Sequence, residues 1–285
     1  MIGKEIMTSE MISFFSMQIV FIAAVLVLNT YIGLHIVRRT LIFSDLVLDQ
    51  LAAFGAMVSI GVGIEYGTTQ SFLFSTAGVL LGAFLLALIK TKSDVIPREA
   101  VIGIMYAMTL VASLLLGDKM CGGEAYVTKT LSGSMLWVTW PLASVTVVVC
   151  ILLLLFCFKF HCKFVALAEN PNDMKNQKLW DFLFFLTQGI ITVLVVPIAG
   201  VLLDYSFLMI PAAIAVMFTK KWIRALVIGW STGFTACLIG LCSSYFFNLP
   251  YGPSLVLSLG VFFIAAIIIR CLLSNNRVVL MKGDQ

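Results

Sequence analysis

The chain has 285 residues, of which 61% are hydrophobic and 11% are charged, and its formal net charge at pH 7 is +4. Soluble globular domains are nearer half apolar and a quarter charged, so this composition excludes a water-soluble enzyme and a disordered protein. The small positive charge is spread along the chain, which excludes a nucleic-acid-binding protein. What remains is a polytopic membrane protein that has the lipid bilayer as its surroundings.

Long apolar runs, without the alternating pattern of membrane barrels, predict an all-α polytopic membrane protein. We expect one transmembrane domain, residues 1–285, whose spans lie between about residues 13 and 273. The nine predicted segments are 13–36, 46–65, 71–89, 99–117, 140–158, 181–203, 206–218, 222–247 and 252–273. Segment 206–218 is short for a bilayer and contains Pro211, which predicts a half-helix or broken helix. A count of eight spans therefore stays open.

Lys and Arg residues predict the orientation, because cytoplasmic loops are enriched in them. With the N-terminus outside and the C-terminus in the cytoplasm, only Lys4, Lys119 and Lys129 of the 18 Lys and Arg residues lie outside. The first residues show no pattern of a cleavable signal peptide. The longest cytoplasmic loop, residues 159–178, has two open interpretations: a solvated loop, or a short helix on the membrane surface that docks a partner.

Acidic residues in or beside the spans are candidates for a cation path, since carboxylates are costly at that depth. Asp45 and Asp49 lie one helical turn apart with Gln50 next to them, and Glu99 begins the fourth span. Each acid could instead cap its helix or complement the helix dipole in the first turn. Both interpretations stay open on the residues alone. Asp204 is expected in a solvated loop that follows the sixth span.

Motifs for nucleotide hydrolysis and zinc proteolysis are missing, since the sequence contains neither a P-loop nor an HExxH run. His35 and His161 are the two histidines, and both are interpreted as structural or solvated. The seven cysteines include no CxxC pair, so we expect them to pack between helices rather than form disulfides or a metal site. The sequence therefore predicts a protein that is not an enzyme.

Five short segments resemble, in chain order, motifs of the permeases of the zinc/manganese/iron-uptake class of ABC transporters. They are Val37-Arg38-Arg39 with Phe43 to Gly55, Arg98-Glu99-Ala-Val-Ile-Gly103, Leu131-Ser-Gly133-Ser-Met-Leu136, Ile210-Pro211-Ala-Ala-Ile-Ala215, and Ser244-Tyr245 with Asn248-Leu-Pro250-Tyr-Gly252-Pro253. Together they extend from about residue 30 to 265. The chain is thus similar to this family over most of its length.

The resemblance implies the transmembrane permease subunit of an ATP-driven importer of divalent metal ions, with zinc favoured and manganese and iron as alternatives. The metal would be cargo, and no resident cofactor is implied, because a separate cytoplasmic ATPase subunit binds the ATP. The other implied partners are an extracytoplasmic metal-binding protein and a second permease subunit, identical or paralogous, in the bacterial cytoplasmic (inner) membrane. The loop around Glu169 and Asp173 resembles the coupling helix on which the ATPase docks.

The chain departs from the family in its second helix, where Gln50 stands at the position of the family's histidine ligand. Leu46 stands at the aspartate position, with Asp45 one residue earlier. The expected metal path is therefore formed by Asp45, Asp49 and Gln50, with Glu99 beside it. Two other functions stay open, an ion-coupled secondary transporter and a non-transporting permease-like partner subunit.

Overall fold

The computed structural model describes residues 2–89, 96–120, 122–133, 139–169 and 176–283. Within these ranges the chain forms helices and no strand. In chain order the helices are α1 (Ile2–Arg39), α2 (Phe43–Gly61), α3 (Thr69–Leu88), α4 (Arg98–Asp118), α5 (Gly123–Ser132), α6 (Trp140–Lys159), α7 (His161–Glu169), α8 (Gln177–Ala199), α9 (Val201–Phe218), α10 (Trp222–Phe247) and α11 (Tyr251–Gly283). In this part of the chain 9 helices are long and apolar enough to cross a membrane, which confirms the predicted polytopic fold.

The spans are helical because lipid offers their backbone groups no other hydrogen-bond partner. Local signals set some of their ends: the hydroxyl of Thr68 accepts the N–H of Ser71 at the start of α3, and Pro141 lies in the first turn of α6. Helices α1, α2, α8 and α9 form the buried centre of the bundle, whereas α4, α6 and α11 lie at its periphery. Polar side chains on the four central helices are therefore shielded from lipid.

The boundary between α8 and α9 differs from the prediction. The predicted segments were 181–203 and 206–218, whereas α8 ends at Ala199 and α9 begins at Val201 and runs for 18 residues. One residue, Gly200, joins the two helices with a φ of 79°, a conformation that glycine adopts at little cost. The apolar pattern continues across this joint, so hydrophobicity alone could not locate it.

The helix break predicted at Pro211 is wrong, because α9 is continuous on both sides of this residue. A proline inside a helix lacks its N–H and crowds the preceding turn. Helix α10 leaves space for the ring: a Cβ atom on Gly233 would lie 3.0 Å from Pro211 Cγ, and one on Gly229 would lie 3.1 Å from the Pro211 carbonyl oxygen. Glycines four residues apart thus allow the close contact that their spacing predicts.

Helices α2 and α3 also cross with their backbones in contact. A Cβ atom on Gly55 would lie 2.9 Å from the carbonyl carbon of Phe74 and from Cα of Ser75. A Cβ atom on Gly78 would lie 3.2 Å from the carbonyl carbon of Leu51. Neither glycine leaves room for a larger residue, so this crossing fixes the position of α2 against α3.

Two short helices lie between the spans. Helix α5 follows α4 and was not predicted, since its ten residues mix polar and apolar side chains. Helix α7 occupies the first part of the predicted coupling loop, residues 159–178, and ends at Glu169. Asp173, the second residue predicted for ATPase coupling, lies outside the residues that the structure describes.

Candidate functional site

Two of the predicted acids lie on the face of α2 that contacts α8. Asp45 and Asp49 are 1% and 0% exposed. Gln188 Nε2 donates to Asp45 Oδ1 at 2.5 Å, and Thr192 Oγ1 donates to Asp49 Oδ1 at 3.1 Å. Because Gln188 and Thr192 are also one turn apart, the two pairs form consecutive links between α2 and α8. The structure therefore brings both acids to one buried seam between these helices.

A third acid joins this seam, and its predicted place in a solvated loop was wrong. Asp204 lies in the first turn of α9, is 1% exposed, and its Oδ1 accepts a hydrogen bond from Asn29 Nδ2 of α1 at 2.6 Å. It is close enough to Asp45 and Asp49 for their charges to interact. The shortness of segment 206–218 was the signal, because a helix that spans the membrane must begin before Asp204.

Five buried oxygen atoms along the seam have no hydrogen-bond donor within the described ranges. They are Oδ2 of Asp45, Asp49 and Asp204, Oδ1 of Asn29 and Oε1 of Gln188. Leaving one buried acceptor unsatisfied costs about 1–3 kcal/mol, and more when it is charged. Several such oxygens together can accept a ligand that brings positive charge, and carboxylate and amide oxygens are ligands that hard divalent cations prefer. We call these five side chains the oxygen path.

The oxygen path is not a ready-made chelating site. Among the described residues, no three His, Cys, Asp or Glu side chains are placed so that they could together hold a metal ion. The acids are distributed over α2 and α9, and their partners over α1 and α8. Spacing of this kind suits an ion in transit, since a transport pathway must bind weakly enough to release its cargo.

Gln50, the third residue of the predicted metal path, is oriented differently from the two acids. Its side chain is buried, and its Nε2 donates to Ser113 Oγ of α4 at 3.3 Å. Asp45 and Asp49 instead bond to α8. The amide nitrogen of Gln50 is thus directed to α4, while its Oε1 is buried and has no donor within the described residues, so Gln50 stays a predicted member of the metal path.

Glu99 was predicted either to act in the first turn of its own helix or to lie beside the metal path, and it contacts the start of a neighbouring helix instead. Its Oε1 accepts the backbone N–H of Phe43, the first residue of α2, at 2.8 Å. Ile42, the residue at the N-cap position of α2, provides no side-chain cap. Glu99 thus supplies from α4 the acceptor that α2 lacks, and its charge complements the positive end of the helix dipole.

Helix α7 is held to the spans by aromatic and imidazole side chains. Trp222 Nε1 of α10 donates to Glu169 Oε1 at 3.2 Å, and the hydroxyl of Tyr31 on α1 lies 2.8 Å from Nδ1 of His161. Burial lowers the pKa of His161 below its ordinary value. The ring of His35 stacks against Trp222, with 4.4 Å between ring centroids. Both histidines of the chain thus lie at α7 rather than in the oxygen path.

One motif that resembles a hydrolase nucleophile is explained by helix packing. The run Gly229-Trp-Ser-Thr-Gly233 has the GxSxG spacing, but it lies inside α10 rather than at a strand-to-helix turn. Ser231 is exposed, and its hydroxyl donates to the carbonyl of Ile228 one turn earlier. The two glycines pack on α9, so this run supports no catalytic function.

In the part of the chain that the structure describes, nine helices that can cross a membrane surround a seam of buried acids, an arrangement typical of multi-pass membrane transport proteins. The chain belongs to the ABC 3 transport family, whose sequence profile matches residues 11–270. It is therefore a permease of the metal-transport class of ABC transporters and not an enzyme, as the sequence predicted.

Individual relatives agree with this membership. The manganese transport system membrane protein MntC of Listeria monocytogenes is 24% identical over 259 residues, which cover 88% of this chain and 91% of that protein. The manganese import system permease protein ScaB of Streptococcus parasanguinis is 24% identical over 247 residues, 84% of each chain. In the solved structure of PsaBC from Streptococcus pneumoniae in complex with Fab, the matching chain is similar in fold. Its TM-score is 0.74 at 20% identity, over 93% of this chain and 95% of that chain.

Proposed function

We propose that this chain forms the translocation pathway of an ATP-driven importer of divalent metal ions. The metal passes along the oxygen path between the central helices α1, α2, α8 and α9. The observation that carries this proposal is the set of five buried oxygens that lack a donor within the described chain. A cation that moves past them replaces part of its hydration shell with carboxylate and amide oxygens.

The ligand chemistry favours manganese or ferrous iron over zinc, which reverses the order that the family resemblance implied. The path offers oxygens and no imidazole, because both histidines lie at α7. Zinc prefers nitrogen and sulfur ligands, whereas carboxylates and amides suit manganese. One sulfur lies near, since Cys150 of α6 is within electrostatic range of Asp204. If zinc is the cargo, Cys150→Ser should lower its uptake, and manganese uptake should not change.

Coupling to a separate ATPase is assigned in this proposal to α7 and the loop that follows it. Helix α7 packs against both α1 and α8, which carry Asn29, Gln188 and Thr192 of the site. A push on α7 by a cytoplasmic partner would therefore reach two walls of the oxygen path. Glu169 is exposed at the end of α7, where a partner can contact it.

The remaining partners follow from the family. We propose a second permease subunit, an extracytoplasmic protein that delivers the metal, and an N-terminus outside the bacterial cytoplasmic membrane. The distribution of Lys and Arg supports this orientation. In this orientation, α7 would lie on the cytoplasmic side together with the ATPase.

The test is ATP-dependent uptake of manganese, iron(II) and zinc in competition, in vesicles that contain the chain, its ATPase and its metal-binding protein. Asp45→Asn/Asp49→Asn removes two charges with little change of shape. Uptake should fall by about tenfold or more, because hydrogen bonds and ion contacts to charged groups are the strong ones. Asp118→Asn, an exposed acid at the end of α4, is the matched control and should leave uptake unchanged.

The other two functions predict different results. A secondary transporter would move metal without its ATPase and would follow an ion gradient. A non-transporting partner subunit would leave uptake unchanged when both acids are replaced in this chain. Either result would refute the proposal.

A further inference from the structure

A buried ion network lies at the end of the bundle where α1 ends and α4 and α8 begin. Arg39, the last residue of α1, donates through Nη2 to Oδ1 of Asp181 on α8. Arg98, the first residue of α4, has its Nη2 3.9 Å from Oδ2 of the same carboxylate and donates to the carbonyl of Leu86 at 2.9 Å. The three charged side chains are 5%, 3% and 5% exposed.

This network continues the line of the oxygen path. Asp181, Gln188 and Thr192 are spaced seven and four residues apart, so they share one face of α8. At 1.5 Å per residue, Asp181 lies about 10 Å from Gln188 and about 16 Å from Thr192 along the helix. On α1, Arg39 lies about 15 Å beyond Asn29 by the same rise. The ion network therefore stands beyond one end of the path, about 10 Å along α8 from Gln188, the partner of Asp45.

The charge of the network opposes the passage of a cation. Two guanidinium groups share one carboxylate, and the carboxylate of Glu99 also interacts with Arg98, so a cation that approaches Asp181 meets two fixed guanidinium charges in a region that water screens poorly. The rings of Phe184 and Phe185 lie within 5.3 Å and 5.8 Å of the Arg39 guanidinium carbon, and Phe185 is also 5.8 Å from that of Arg98. A metal ion that leaves Asp45 in this direction meets fixed positive charge among aromatic side chains.

Stability alone does not account for such a network. Buried ion pairs cost desolvation energy, and apolar residues of similar size often stabilise a protein as well or better. The three members come from three different helices, so relative movement of these helices separates the charges. Helix α7 contacts two of them, α1 and α8.

We propose that Arg39, Asp181 and Arg98 form the gate that closes one end of the oxygen path, the cytoplasmic end in the proposed orientation. This inference rests on the proposed function. When α1 moves relative to α8, the Arg39 guanidinium leaves Asp181, and the departing metal ion takes its place on the carboxylate. The gate thus exchanges one cation for another, and Asp181 is never left without a counter-charge.

Arg39→Gln tests the gate, with Arg38→Gln as the matched control. Arg38 is the neighbouring residue and undergoes the same change of charge, but it donates to the carbonyl of Lys220 and stacks on Trp222 instead of binding Asp181. The complex in lipid nanodiscs is treated with a water-soluble carbodiimide and an amine, and mass spectrometry measures the labelling of each carboxylate. The same preparations are assayed for ATP-dependent uptake in vesicles.

We expect Arg39→Gln to raise the labelling of Asp45 by about tenfold or more, the factor that corresponds to losing one hydrogen bond between charged groups. Labelling of Asp204, deeper in the path, should stay at its wild-type level, which distinguishes an open gate from a generally loosened fold. Arg38→Gln should leave Asp45 protected. If Arg39→Gln misfolds, Arg39→Gln/Asp181→Asn removes both partners, avoids an unpaired buried acid and should expose Asp45 equally.

Unchanged labelling of Asp45 in folded variants would overturn the gate and leave the proposed function intact. Equal rises at Asp45 and Asp204 would also overturn it, because they would show a structural role for the network. Failure of the wild-type complex to take up any metal would instead refute the proposed function.

Discussion

The crossing of α2 and α3 allows a quantitative prediction for Gly55→Ala. The added Cβ atom would lie 2.9 Å from the carbonyl carbon of Phe74 and from Cα of Ser75, both of them backbone atoms that cannot rotate away. Ordinary carbon contacts are about 3.5–4.0 Å, so the two helices must separate by roughly 0.5–1 Å. Overpacking of this kind costs about 1–3 kcal/mol.

Part of that cost is offset, because alanine favours a helix over glycine by about 1 kcal/mol. The net loss for Gly55→Ala is then about 0–2 kcal/mol, and a melting temperature lower by up to about 8 °C follows for a chain of this size. Thermal unfolding in detergent, followed by size-exclusion chromatography, measures this shift.

Gly260→Ala in α11 is the matched control, since a Cβ atom there would meet nothing within 4 Å. It should gain the helix preference without the clash and melt at or slightly above the wild-type temperature. If Gly55→Ala melted together with Gly260→Ala, the close backbone contact between α2 and α3 would be refuted.

The remaining predictions concern the acids, the coupling helix and pH. Asp204→Asn should lower metal uptake by about tenfold, because a contact between charged groups is lost. Asp118→Asn should leave uptake unchanged, and equal uptake by the two variants would show that Asp204 is not part of the path. Glu169→Arg should abolish the stimulation of ATP hydrolysis by metal and binding protein in a folded complex, and normal stimulation would exclude the coupling role of α7. Burial lowers the pKa of His161 in the folded protein, whereas the unfolded chain binds a proton at this histidine near pH 6.5. The free energy of unfolding should therefore decrease as the pH falls below about 6.5. His161→Gln should lose that part of the pH dependence of melting, and identical slopes for both proteins would contradict it.

The sequence predicts the nine spans of the described residues well, because a long apolar run in lipid satisfies its backbone hydrogen bonds by forming a helix. It locates Asp45 and Asp49 for a related reason, since acids one turn apart at a span are costly unless they have a role. It fails at Asp204 because hydrophobicity does not reveal the turn at Gly200. It also leaves the role of Glu99 open, because the N–H that this side chain accepts belongs to another helix.

Tertiary contacts decide the cases that the sequence leaves undecided. Pro211 lies within α9 against two glycines on α10 that leave space for it, and those glycines are distant in the chain. Arg39 and Asp181 are 142 residues apart, and no local pattern connects them. Likewise, the side-chain partners Gln188, Thr192 and Asn29 lie on other helices, and the sequence gives no sign that they contact the three acids.

The single-residue joint at Gly200 has a consequence for how the protein moves. Because a single residue joins them, the adjoining ends of α8 and α9 cannot slide past each other, so we expect this helical hairpin, which carries Gln188, Thr192 and Asp204, to move as one unit. Any widening of the passage must then occur where this hairpin meets α1 and α2. Spin labels placed on α8 and α9 should keep one separation throughout the transport cycle, whereas a pair on α2 and α8 should alternate between two.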